Sequence, residues 1–312
     1  MVRLLAVLAL LFCWPAEAGA QPALDPASKA ALARLPFDTA LVASVHVAAA
    51  ARTPVGARLL AALEQRGDFR RAAAELRSKV GFDYRRDIEQ LWLAMPPGAL
   101  DGEPRVAFIA RLSIDQARFL AWLRKRSGRR LSQRKLGPIT YHVVGDIAWA
   151  MLDPKHLLLA HAVHIEEVLR AASGAKHSAA ANRPLVLAAA SAGTGAHAWL
   201  AVLLPDPVRS RLRQDALTAQ LAEVRWTAGR ITLGGVTRWR GQVKTTRRDS
   251  ARGLVAVLKQ MLEAAAASDE VSAAGLSTAL RQTSVSADGD VVRFQGSLPP
   301  AQAGAVLDRV AR

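Results

Sequence analysis

Ile139-Thr140-Tyr141-His142-Val143-Val144-Gly145-Asp146-Ile147-Ala148-Trp149-Ala150-Met151-Leu152-Asp153-Pro154-Lys155-His156-Leu157-Leu158-Leu159-Ala160-His161 decides the fold class. Three short apolar runs, Ile139 to Val144, Ile147 to Leu152 and Leu157 to His161, are separated by Gly145-Asp146 and by Asp153-Pro154-Lys155. Runs of this length between turn residues predict consecutive strands of an antiparallel meander. A helix from about Val163 to Ala172 follows them.

Upstream, Leu41 to Val47 alternates as a strand does, and Thr53-Pro54 reads as an N-cap and first-turn proline of a helix. Asp68 is expected to cap a second helix that ends at Gly81. Ile88 to Met95 and Arg105 to Leu112 read as strands around Pro96-Pro97-Gly98. Ser113-Ile114-Asp115-Gln116 has the spacing of a capping box, opening a helix that reaches about Arg126.

Downstream, Asp206-Pro207 starts a helix, and Val224 to Trp226, Arg230 to Trp239 and Gln242 to Thr246 are predicted strands. Asp249 or Ser250 opens a long helix with Leu254, Val257, Leu258, Met261 and Leu262 on its inner side. A small helix near Leu276 to Leu280 precedes a hairpin of Thr283 to Ser286 and Val291 to Leu298 about Asp288-Gly289, and Pro299-Pro300 opens a final helix.

Meanders broken by helices, without regular strand-helix alternation or glycine-rich turns, give an α+β fold and exclude a doubly wound sheet. The expected architecture is two similar halves, each an antiparallel sheet with helices on one face. The expected organisation is a signal peptide over residues 1–20, an N-terminal linker over 21–34, a first unit over 35–175 and a second over 183–312. The Ala/Ser/Gly-rich stretch 171–182 marks the boundary.

Met1 to Ala20 has a positive start at Arg3, an apolar run from Leu4 to Phe12, Pro15, and the small-residue exit Ala18-Gly19-Ala20. That is the pattern of a secretory leader. The run is too short to span a bilayer, and Leu11-Phe12 before Cys13 does not suit lipidation. Export with cleavage places the mature protein in a periplasmic or extracellular space. It also removes Cys13, the single cysteine, and with it disulfide, thiol and Cys-metal chemistry. Pro184 to Leu204 carries no charged residue, but Gly193-Thr194-Gly195 and His197 divide it into a helix and a buried strand, so no membrane span is expected.

The 312-residue chain is 51% hydrophobic and 22% charged, enough to bury sizeable cores, but only 5% aromatic. Its formal charge is +16, and loss of Arg3 and Glu17 leaves that unchanged. A basic surface attracts polyanions, so an anionic envelope component is the partner class this balance suggests. Arginine and alanine enrichment of a GC-rich genome accounts for the same charge without a ligand.

Two basic clusters carry the polyanion reading. Arg124, Lys125, Arg126, Arg129 and Arg130, with Arg134 and Lys135 beyond, fall at a helix end and loop, where cations also suit the helix dipole. Arg238, Trp239, Arg240, Lys244, Arg247 and Arg248 fall on strands, where an exposed Trp239 would offer a stacking surface. Alternation equally turns Trp239 inward and leaves the arginines solvated. His161, His164 and Glu167, with Glu166, are a weak metal candidate: His164 and Glu167 share a helical face, yet no second motif completes a site. Asp83 and Asp87 about Arg85-Arg86 read as a locally paired loop. Gly-x-Ser-x-Gly elbow, Walker loop and dinucleotide fingerprint are missing from the sequence, so no cofactor is expected.

Leu35-Pro36-Phe37-Asp38-Thr39, Phe82-Asp83-Tyr84-Arg85-Arg86-Asp87-Ile88 and Gly137-Pro138-Ile139-Thr140-Tyr141 together resemble a family of uncharacterised exported bacterial proteins. The resemblance covers Leu35 to Ala172. It implies a duplicated α+β exported protein and brings no active site with it. Three functional classes follow: a non-enzymatic binding or scaffolding protein, a binder of acidic glycan, lipopolysaccharide or nucleic acid, and a hydrolase whose site is assembled only in space.

Overall fold

The computed structural model describes residues 24–100, 105–127, 131–174, 178–193, 195–214, 218–273 and 275–310. The leader and its cleavage site lie outside them. The chain forms two compact units, one of Asp25–Arg52 with Leu63–Arg183, the other of Thr53–Ala62 with Pro184–Arg312. Residues 53–62, expected in the first unit, therefore belong to the second.

The elements run α1 (Pro26–Leu32), β1 (Leu41–Val45), α2 (Val47–Ala51), α3 (Pro54–Gln65), α4 (Gly67–Val80), α5 (Tyr84–Asp87), β2 (Ile88–Met95), α6 (Pro97–Leu100), β3 (Ala107–Leu112) and α7 (Gln116–Ser127). Then come β4 (Ser132–Leu136), β5 (Ile139–Val144), β6 (Ile147–Asp153), β7 (His156–His161) and α8 (Ile165–Ala172). The rest of the chain gives α9 (Arg183–Ala192), β8 (Ala198–Leu203), α10 (Asp206–Leu212), β9 (Val224–Thr232), β10 (Thr237–Thr245), α11 (Arg248–Ala267) and α12 (Asp269–Ala273). It closes with α13 (Ser277–Arg281), β11 (Ser284–Asp288), β12 (Val291–Leu298) and α14 (Pro300–Val310). The fold is α+β with antiparallel sheets. No helix among the described residues is long and apolar enough to cross a membrane.

In the first unit seven strands pair in the order β1-β2-β3-β7-β6-β5-β4. In the second, five pair in the order β8-β9-β10-β12-β11. Each begins with a three-strand meander, leaves through a helix, and returns its last strand beside the third. They differ in the number of strands added after that helix, and their likeness stops at this topology.

Alternation along the strands assigns the faces of the first sheet. His142 pairs with Trp149, and Trp149 with Leu159, on the face that meets α7 and α4. Tyr141 pairs with Ala150, and Ala150 with Leu158, on the other, where the Tyr141 hydroxyl donates to Glu166 of α8 at 2.7 Å. Helices thus lie against both faces. Burial of Ile165, Val168 and Leu169 on α8 fills the second of them. Each such aliphatic side chain contributes about 1.5–3 kcal/mol on transfer from water.

Several local expectations give way to better partners. Residues 26–32, expected as linker, form α1 because Asp25 accepts from the Ser28 amide at 2.8 Å and Pro26 fits the first turn; Leu32 is fully buried. Asp68 sits inside the first turn of α4 and pairs with Arg71, so it is not the cap. The capping box at Ser113 does not form. Asp115 caps α7 instead, accepting from the Arg118 amide at 3.0 Å. The three strands expected between Val224 and Thr246 are two, because Gly229 and Gly241 face each other within the ladder and Gly234-Gly235 makes the turn.

In the second unit α11 lays Ala251, Leu254, Leu258, Leu262 and Ala266 onto the sheet, while Met261, expected on that side, is exposed. Beneath the helix lie Trp239, Val243, Val292 and Phe294, and Val55 of α3 packs into the same core.

Candidate functional site

The sequence-predicted sites fare differently. Trp239 is buried at 3% exposure against Gly296, so it offers no stacking surface, and the reading that placed it among polyanion ligands is corrected. Alternation puts Val243 inward with it and turns Arg238 and Arg240 to the opposite face. Lys244 is engaged by Asp290 at 2.6 Å, and this hydrogen bond holds the Asp290 carboxyl below the usual carboxylate range. Arg247 and Arg248 sit exposed where α11 begins.

His164 is 2% exposed and its Nδ1 lies 2.9 Å from Glu167 Oε2, while His161 Nδ1 meets the Val163 amide at 3.4 Å. Glu166 is taken by Tyr141 and Arg170. No three His, Cys, Asp or Glu among the described residues converge to hold a metal ion. Asp83 caps α5 by accepting from the Arg85 amide at 3.1 Å, and Asp87 pairs with Arg86. Those carboxylates serve local structure.

The first basic cluster leads to a cavity. Arg129 and Arg130 lie outside the described residues. Arg124, Lys125 and Arg126 project, exposed, from the last turn of α7. Below them, α7 and β5 to β7 enclose an apolar groove of about 500 Å³. Phe119, Trp122 and Leu123 form its helical wall. Ile147, Trp149, Leu157 and Leu159 form its sheet floor, and Arg126 stands at its rim. Ile147 is 58% exposed, because the helix covers only part of the apolar sheet face.

Aromatic packing shapes the groove. Phe119 meets Trp149 edge-on at 5.5 Å and stacks with Trp122 at 5.8 Å. His142 stacks on Trp149 with ring centroids 4.4 Å apart. Burial, and then the nearby charge of Arg124, push the His142 pKa down, so the ring is neutral at pH 7. Neither His142 Nδ1 nor Trp149 Nε1 has a hydrogen-bond partner among the described residues.

On the other side of Trp122, between α4 and α7, lies a second cavity of about 490 Å³. Lys79, Arg118, Lys125 and Arg126 line it, against one acid, Glu75. Glu75 accepts from Trp122 Nε1 at 2.9 Å and pairs with Arg126, whose guanidinium lies over the Trp122 ring, 5.5 Å from its centroid. Lys79 and Lys125 have no ion-pair partner among the described residues. Trp122 and Arg126 therefore form a shared wall between an apolar chamber and a cationic one.

Sequence reasoning found Lys125 and Arg126 but missed Lys79 and Arg118. The signal was there in helical spacing. Arg118, Trp122 and Lys125 recur at intervals of four and three on one face of α7, which a search for contiguous charge passes over.

No family model and no curated protein matches the chain. Among solved structures it is similar to crystal form I of TP0453, at 10% identity and a TM-score of 0.48 over 93% of this chain and 99% of that one. It is likewise similar to crystal form IV of TP0453, at 9% identity and a TM-score of 0.49 over 90% of this chain and 96% of that one. At that level the likeness carries no argument about fold or function.

Proposed function

We propose that this is an exported, non-enzymatic binding protein whose ligand is an anionic amphiphile. Its tail would lie in the groove under α7, and its head among Lys79, Arg118 and Lys125. The observation that supports this most is the shared wall. Trp122 and Arg126 line both an apolar and a cationic cavity, each of a volume usual for ligand sites. A polymer lying on a basic surface needs no apolar chamber, and a purely apolar ligand needs no lysine without a carboxylate partner. The leader pattern at Met1 to Ala20 and the resemblance of Leu35 to Ala172 to exported proteins support the compartment.

A series of n-alkyl phosphates of increasing length tests the reading, with tryptophan fluorescence as the readout. Each added methylene is expected to tighten binding by about 0.8 kcal/mol, roughly fourfold, until the groove is full. Lys125→Glu and Arg118→Glu are expected to weaken every member and to lower the salt dependence. Affinity independent of chain length refutes the groove. Affinity unchanged by both substitutions refutes the cationic head site.

A further inference from the structure

We propose that Glu75 occupies the anion-binding position of the shared wall, and that the anionic head of a bound amphiphile displaces it. The inference rests on the ligand class proposed above and names the donors that take the head. Those donors are Trp122 Nε1 and the Arg126 guanidinium, one turn apart on α7.

In the structure both are turned to a single carboxylate. Trp122 Nε1 donates to Glu75 Oε1 at 2.9 Å, and Arg126 Nη1 pairs with Glu75 Oε2. The guanidinium also lies over the Trp122 ring, which holds the two donors in a fixed relation. An indole N–H and a guanidinium converging on two oxygens suit a phosphate or carboxylate head as well as they suit a glutamate.

The surroundings of Glu75 do not call for this pairing. It is the single acid lining a cavity with Lys79, Arg118, Lys125 and Arg126. Lys79 follows it by four residues on α4, the order and spacing that favour a pair within one helix. Glu75 crosses to α7 instead, and Lys79 is left without an ion-pair partner among the described residues. Both members of the Glu75–Arg126 pair are partly exposed, and such a pair adds little to stability. Leu76 and Val80 of α4 share an apolar cluster with Leu120 and Leu123 of α7, which joins the helices without it.

A head placed at these donors borders both cavities, because Trp122 and Arg126 line each of them. Its tail can enter the groove while its remaining oxygens face the lysines. Trp122 and Arg126 keep an anionic partner before and after the exchange, and the displaced Glu75 has Lys79 one turn away. A small anion must open the pair with its charge alone, whereas an amphiphile adds the transfer of its tail from water. Glu75 therefore raises the threshold for every anion, and a tail is what clears it.

The test uses the full chain with n-octyl phosphate, n-octanol and inorganic phosphate as probes. Glu75→Gln keeps an amide oxygen for Trp122 and removes the charge that holds Arg126. It is expected to tighten both phosphates roughly three- to tenfold, the scale of one partly exposed ion pair, and to leave octanol unchanged. Glu75→Ala is expected to act in the same direction. Arg126→Gln is expected to weaken octyl phosphate about tenfold and to spare octanol. If Glu75 serves only to join α4 to α7, its substitution weakens all three probes or none. Octyl phosphate that binds wild type and both Glu75 variants equally overturns the proposal and leaves the groove reading standing. If neither octyl probe binds, the groove reading fails, and the inorganic phosphate arm still decides for or against Glu75.

Discussion

Gly296→Ala offers a sharp test of the second core, because two effects of opposite sign compete at one atom. Gly296 lies in β12 directly opposite Trp239 of β10. An alanine Cβ built there would meet Trp239 Cζ2 at 2.1 Å and Cε2 at 2.3 Å, both ring atoms of a side chain that is itself buried. Without that contact, replacing glycine by alanine inside a strand stabilises by roughly 0.5–1 kcal/mol, through the conformational freedom lost by glycine. With it, the indole must leave its place under α11, and overpacking of this kind costs about 1–3 kcal/mol. The net expectation is a loss of roughly 1–2 kcal/mol, read as a lower urea midpoint with the slope unchanged. A Trp239→Phe background removes the colliding part of the ring, so Gly296→Ala should there be neutral or stabilising. The coupling between the two substitutions should be well above the few tenths expected of independent sites. Strict additivity, or a stabilising Gly296→Ala in the wild-type background, refutes the packing of Trp239 against this glycine.

Two more predictions concern the groove. His142 is held neutral in the folded state with its pKa below the ordinary 6.5, whereas the unfolded chain titrates at that ordinary value. Its contribution is therefore complete above pH 6.5 and is lost as pH falls from there toward the folded value, the unfolded state taking up the proton. Urea midpoints between pH 5 and 7 should fall with acid, and less steeply in His142→Phe; an unchanged slope contradicts the assignment. Asp115→Ala should cost about 0.5–2 kcal/mol and loosen α7 over the groove, whereas Ser113→Ala should be close to silent. Equal losses in the two variants, measured by denaturant unfolding, would restore the capping box.

Much of this fold can be read from residue order alone. Val291 to Leu298 alternates cleanly about Asp288-Gly289, and β12 buries Val292, Phe294 and Leu298 on one side as that alternation requires. The helix-to-strand reading of Pro184 to Leu204 corresponds to α9 and β8, since the glycines between them end the helix. Strand β4 could not be read in this way. Ser132-Gln133-Arg134-Lys135 is polar on both faces because it lies at the edge of the sheet, and only pairing with β5 makes it a strand.

The site was legible in its charges and not in its shape. The run Arg124-Lys125-Arg126 marks the end of α7, but nothing local to it announces that Trp149 and Leu159, from two later strands, complete a cavity beneath. Cavities arise from incomplete coverage of one element by another, and composition records only that both elements are apolar. Likewise Trp239 between two arginines satisfies an exposed and a buried reading alike, until the glycine opposite it shows which face has room.

The detour of Thr53 to Ala62 into the second unit sets the order in which the protein can be finished. Val55 of α3 joins a core otherwise built from residues beyond position 200. During synthesis, then, this helix emerges long before its partners, and must wait with an uncovered apolar side while the strands around Trp149 assemble. A break between residues 183 and 184 would separate the helix from the core it completes. The two units can be told apart in space, but they cannot be made one after the other.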